Sequence, residues 1–383
     1  MNIDSVFNLL IDQDHVISVL NEAVEASKDD SNESQEMTHA WLFTGPPGSG
    51  RSNAALAFAA ALVCKDGGCN KCTDCKTAIK GVHADVELVK TEGLSIKIDE
   101  VRELITRASW SPSVGNYRVV VIEDADRLTE SAANALLKAI EEPGLRTVWL
   151  LCAPSATDVL PTIRSRTRSL VLRTPSTAAV AALLEAEAVT PAMANFAARA
   201  SQGHIGRARH LANSGEARSR REAILKISLL ITDVSSAFKA AQVLVEAAKA
   251  EAEEDAERRD GAEMSALKEA WGQQGSKLTQ GGAKIVKELE KEQKSRTTRM
   301  VRDYLDRALL DIATLFRDIL LVQSNSLESL INTDLITEIT QIANNSTPQA
   351  TLRKLEAIMS ARTNLSHNAA PLLTIEALMV SLK

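Results

Sequence analysis

The chain has 383 residues, enough for two or three domains with cores of their own. Its net charge of -6 excludes wrapping of nucleic acid by bulk charge, so any DNA contact must be local. No apolar run approaches the ~20 residues of a membrane span, and the acid-punctuated start MNIDSVFNLLIDQDHV does not read as a signal peptide. A cytoplasmic protein with reduced cysteines is therefore expected.

In chain order, WLFT (41–44) reads as a short strand and the segment after residue 51, SNAALAFAAALVC, as a helix. DVELVK (85–90) predicts a second strand, and IDEVRELITRA carries Ile98, Val101, Leu104 and Ile105 at helical spacing. YRVVVIED (117–124) reads as a buried strand ending in acids. The next helix puts Ala133, Leu136, Leu137 and Ile140 on one face and is stopped by Pro143 and Gly144. VWLLC (148–152) and SLVLR (169–173) complete five strands alternating with helices, the pattern of an open parallel α/β sheet. After Pro175 the strands stop. Residues 176–218 read as short helices and everything from 219 as helical, interrupted at about 250–297 by a charge-rich stretch with GQQGS and GG that reads as a solvated insertion.

Four clusters carry chemistry. GPPGSGRS meets the phosphate-loop pattern G-x-x-x-x-G-K-[S/T] at Gly45, Gly50 and Ser52, with Pro46, Gly48 and Ser49 as candidate binding residues between them, and it lies between strand and helix as such a loop requires. Arg51 stands where the pattern has lysine: the charge is kept, but a planar fork replaces a compact ammonium. A glycine-rich turn without nucleotide remains the alternative. Glu123 and Asp124, at the carboxyl end of their strand, are a metal-and-water acid pair in reversed order, or else two solvated acids. Cys64, Cys69, Cys72 and Cys75 can close a tetrahedral Zn²⁺ site, structural because no position stays open; free thiols are the alternative. Cys152 reads as core. Arg164, Arg166 and Arg168 alternate before the last strand, either on a solvated turn or presented to a neighbouring subunit's nucleotide.

GPPGSGRS, the cysteine knuckle, VVVIEDADRLTESAANALLKAIEEP and TIRSRTR, in this order, resemble the delta-prime family of bacterial DNA polymerase III clamp-loader subunits. The resemblance covers about 3–215 well and the helical tail more loosely. It implies an AAA+ architecture: a RecA-like α/β domain with a parallel sheet (1–174, knuckle at 64–75), a small helical lid (175–218) and an all-α collar (219–383) that joins a ring. It implies gamma/tau and delta subunits, the sliding clamp and primed DNA as partners, within the DNA-directed DNA polymerase holoenzyme. Ser165 and Arg166 fall on the family's finger motif, with Thr167 replacing its cysteine; Arg166 would reach the neighbouring gamma/tau ATP. Arg207 falls on the lid arginine, and Ala153 falls near the family's polar sensor. ATP or ADP with Mg²⁺ is then a possible occupant of a damaged site with little or no turnover. The rivals are an active gamma/tau-type ATPase, which wants lysine and an Asp-Glu pair, and a zinc enzyme or zinc-anchored DNA-binding module, which wants an open metal position or a basic face.

Overall fold

The computed structural model describes residues 5–28, 37–91, 93, 95–270, 280–326 and 330–383. The chain divides into two compact units, Met1–Ala212 and Asn213–Lys383.

The first unit is built on β1 (Ala40–Thr44), β2 (Val86–Val89), β3 (Arg118–Ile122), β4 (Thr147–Ala153) and β5 (Arg168–Val171). All neighbouring strands pair in parallel, in the order β2-β3-β4-β1-β5. The sheet's helices are α1 (Asp14–Ala26), α2 (Arg51–Val63), α3 (Thr73–Ile79), α4 (Ile98–Ala108), α5 (Glu130–Glu141) and α6 (Pro161–Arg164). Strand residues alternate between faces, because successive Cβ atoms point to opposite sides. Trp41, Phe43, Val119, Val121 and Leu150 enter one core with α1 and α2, while Leu42, Val120, Ile122, Trp149 and Leu151 enter the other with α4 and α5. Helix α2 is buried at every residue from Ala54 to Val63. Its alanines let it lie close on the strands, and a helix apolar all round has no face for water. The result is an open five-stranded parallel α/β sheet covered by helices on both faces, the layer pattern expected from the alternating strands and helices of the sequence.

Three helices follow the sheet inside the same unit, the last of them but for its final residue: α7 (Thr177–Ala186), α8 (Pro191–Ser201) and α9 (Ile205–Asn213). The chain between β5 and α7 is clasped by the N-terminal segment. Gln13 Nε2 donates to Arg173 O at 2.6 Å, Arg173 N donates back to Gln13 Oε1, and Ser176 N donates to Asp12 Oδ2 at 2.8 Å.

The second unit is all helical: α10 (Gly215–Leu229), α11 (Val234–Ala270), α12 (Gln280–Gln323), α13 (Ile336–Asn345), α14 (Pro348–Ser366) and α15 (Pro371–Ser381). Its core gathers Leu225, Leu244, Leu309, Phe316, Ile339, Ile358 and Met379. Within it Arg221 bonds Asp311 and Asn332, and Asp318 accepts from the Asn332 backbone and amide. The stretch read as solvated insertion differs from expectation. Its described residues are helix: α11 runs on to Ala270 and α12 begins at Gln280, while 271–279 lie outside the described residues. Ala252 and Ala256 are buried, and Arg296 sits between Asp260 and Glu263 at 2.9 and 2.5 Å. Charge here is paired between two helices, which composition does not reveal.

Candidate functional site

Strands β1, β3 and β4 end together, because Thr44 pairs with Ala153 and Ile122 with Leu151. The loop after Thr44 and the acids after Ile122 therefore share the carboxyl edge, the side on which open α/β sheets bind ligands. Gly45 N donates to Pro154 O at 3.2 Å, and Ala54 N to Gly50 O at 2.8 Å is the first internal bond of α2. The N–H groups of Gly50, Arg51, Ser52 and Asn53 precede that bond, the usual unpaired first turn that makes an anion cradle. Gly48 is essential to the shape. Its φ is +86°, and a Cβ there would stand 2.6 Å from His204, at the start of α9. Pro46 and Pro47 are exposed, and the Ser49 hydroxyl is buried with no hydrogen-bond partner among the described residues.

Arg51 turns inward, its Nη1 donating to Gly45 O of its own loop. Its charge is felt at Asp126 and at Cys152 behind it. Glu123 is paired with Lys90 at 3.5 Å. Asp124 neighbours Asp126, whose carboxyl is pushed above its ordinary range by burial and then by the charge of Asp124. Ala153 is fully buried and offers no polar side chain beside Thr44. Arg207 is half-buried on α9, and its backbone N–H meets His204 Nδ1 at 3.3 Å. The loop, the acids and the start of α9 are thus assembled at one edge, and the cradle fits an anion. At this edge Ala153 offers no hydrogen-bonding side chain, and Glu123 precedes Asp124 in the chain.

Arg166 lies elsewhere. Arg168 opens β5 level with Trp41, near the start of β1, and Arg166 precedes it. From Trp41 to Gly45 the strand rises about 13 Å at ~3.3 Å per residue, so Arg166 stands at the amino edge, away from its own loop. At that edge the end of α5 also arrives, where His39 Nε2 donates to Ile140 O at 2.7 Å. Arg166 Nε bonds Glu141, and its Nη1 donates to Thr162 O at 3.0 Å and to Ser165 Oγ at 3.2 Å. The other two arginines differ: Arg164 is exposed, while Arg168 stacks 4.9 Å over the Trp41 ring.

The cysteine cluster is complete. The four sulfurs lie within 4.8 Å of one another, and Cys64 stands 3.7 Å from both Cys69 and Cys72. Four sulfurs ~2.3 Å from a tetrahedral metal would stand about 3.8 Å apart, so the cluster can hold a metal ion. Backbone N–H groups of Lys71 and Cys72 bring the Cys69 thiol down to about 7, whereas burial pushes Cys75 up. Cys72 Sγ also accepts from Cys75 N and so caps α3.

Sequence reading missed Asp126, Lys90, His204, Gln13 and Glu141. Asp126 and Glu141 were visible in EDADR and AIEEP; the others have partners remote in sequence. Among the described residues no helix is long and apolar enough to cross a membrane.

Residues 20–176 match the family model for the DNA polymerase III delta subunit, and 302–382 match that for its C-terminal part. The chain is 27% identical over 341 residues to the DNA polymerase III subunit delta' of Bacillus subtilis, covering 88% of each chain. It is 37% identical over 134 residues to the delta' subunit of Pseudomonas aeruginosa, 33% of this chain and 41% of that one. It is 32% identical over 172 residues to the gamma/tau subunit of Mycobacterium bovis, 44% of this chain and 28% of that one. Among solved structures, a gamma subunit-related protein of Thermotoga maritima is 17% identical over 90% of this chain and 99% of that one, at a TM-score of 0.37.

Proposed function

We propose that this chain, which belongs to the delta-prime family of DNA polymerase III subunits, works in the clamp loader by lending Arg166 to a neighbouring subunit's nucleotide. Its clamp-loader membership is supported by the two family-model matches and by a relative named as delta' that is matched along 88% of its length. The trans role of Arg166 is our reading, and one observation carries it: the β1–β5 register sets Arg166 at the edge of the sheet opposite its own phosphate loop. An arginine there cannot serve its own site, yet it is held on the surface with side-chain exposure of 40%. A guanidinium delivered from outside stabilises the charge that develops on a transferring phosphoryl group.

In this reading the chain's own loop, Gly45 to Ser52, is a vestige that can hold an anion, ATP or ADP with Mg²⁺ among them. Turnover is low, because Arg51 is directed to Gly45 O, Ala153 is apolar and Glu123-Asp124 are reversed. Arg207 would complete that pocket from the lid, taken as 175–218. The gamma/tau subunit supplies the catalytic site that Arg166 meets, with delta, the sliding clamp and primed DNA completing the machine. The second unit would act as the ring-forming collar. The cysteine cluster would hold Zn²⁺ in a structural role, because a site closed by four thiolates leaves no position for substrate.

The test is Arg166→Ala in the loader reconstituted with gamma/tau and delta. Clamp- and DNA-stimulated ATP turnover should fall by about tenfold or more, with assembly by gel filtration unchanged. Unchanged turnover would remove the reading.

A further inference from the structure

We infer that Glu141 is a positioning residue for Arg166; the inference rests on the reading of Arg166 just given and adds the group that aims it. The guanidinium is gripped on two of its three nitrogens. Nε bonds the Glu141 carboxylate, and Nη1 bonds Thr162 O and Ser165 Oγ. No hydrogen bond among the described residues uses Nη2, so this nitrogen keeps its donors for a partner. A carboxylate on the Nε side fixes the plane of the fork, which a long side chain with several rotatable bonds would otherwise leave undefined.

Both supports of this grip belong to helices anchored by buried residues. Glu141 ends α5, which is capped by Thr129 and anchored by the buried Ala132, Ala133, Leu136 and Ile140. Thr162 and Ser165 flank the buried Ile163 of α6. Neither role in stability explains the pair. Side-chain exposures of 40% and 46% make the ion pair a weak contributor to folding. An acid at the last turn of a helix also opposes the helix dipole, so Glu141 is not placed there for the good of α5. What the carboxylate does accomplish is to hold Arg166 in one orientation before a partner arrives, which spares that ordering when the nucleotide site closes. Helix α5 begins just beyond the acids at the carboxyl edge, so Glu141 also joins the finger to the far side of the same sheet through one helix.

Three variants of the full chain decide it: Glu141→Gln, Arg166→Ala and the double variant, each in the reconstituted loader, with thermal melting as the folding control. Expected for Glu141→Gln is a kcat for clamp- and DNA-stimulated hydrolysis lowered by about 3- to 10-fold, with KM for ATP and the melting curve unchanged. Glu141→Asp should recover part of the loss, and Glu141→Gln should add nothing in the Arg166→Ala background. Turnover of Glu141→Gln that is unchanged, or raised as it would be if the acid merely parked the arginine, overturns the inference, as does an equal loss in both backgrounds. An Arg166→Ala loss together with a neutral Glu141→Gln sinks Glu141 alone. A neutral Arg166→Ala sinks the finger reading and Glu141 with it.

Discussion

Asp85 shows how one buried charge shapes the first unit. It is fully buried, which alone would push its carboxyl up, but the backbone N–H groups of Gly115, Ser113 and Val114 and the Ser113 hydroxyl together bring it down to about 2. Those bonds fix the loop that leads into β3, the strand carrying Glu123 and Asp124. Asp85→Ala leaves the donors unpaired and should cost about 3 kcal/mol by urea denaturation. The pH dependence follows from the sign of the shift. A carboxyl depressed in the folded state contributes stability that is complete above its unfolded value, about 4, and lost as pH falls through about 2. Between pH 5 and pH 2 the wild type should therefore lose stability that the Ala variant never had; parallel curves would refute this account of Asp85.

At the level of elements the knuckle is the least self-sufficient piece. Helix α3 spans only Thr73–Ile79, too short to stand alone, and its cap is the sulfur of Cys72. The N-terminal turn depends on it as well, since Val6 N donates to Gly68 O at 3.0 Å. A bound metal would tie these pieces to α2 through Cys64. Replacing Cys69 and Cys72 by Ser should abolish metal content measured by atomic absorption and lower the melting temperature of the first unit. Equal metal content before and after would rule out the cluster as its ligand set. The contrast with α2 is instructive: ten consecutive buried residues, Ala54–Val63, hold that helix by packing alone.

On the scale of the whole molecule the two units have separate cores. Leu225, Leu309, Phe316, Ile358 and Met379 belong to the second, and its buried Arg221–Asp311–Asn332 network closes within it. A chain of 213–383 expressed alone should unfold in one cooperative step, with near-native helical circular dichroism before it. A broad, non-cooperative melt would show that its core is incomplete.

The sequence by itself determined the sheet, the glycine-rich turn at its carboxyl edge and the gathering of four cysteines. Strand runs such as RVVVI and TVWLLCA are apolar on both faces, so period and length identify them with nothing else known, and the structure moves their ends by a residue or two. Glycines at 45, 48 and 50 and cysteines at 64 to 75 announce themselves because their chemistry is local. Only the tertiary structure decided what depends on register and on remote partners. It set Arg166 at the opposite edge from the loop, brought Glu141 to its Nε, and laid His204 on Gly48. It also turned the charged stretch at about 250–297 into paired helix where described: Arg296 finds Asp260 and Glu263 across more than thirty residues of chain, and that pairing leaves no trace in composition. Local chemistry is written residue by residue, whereas an edge or an ion pair between helices exists only once the backbone has chosen its path.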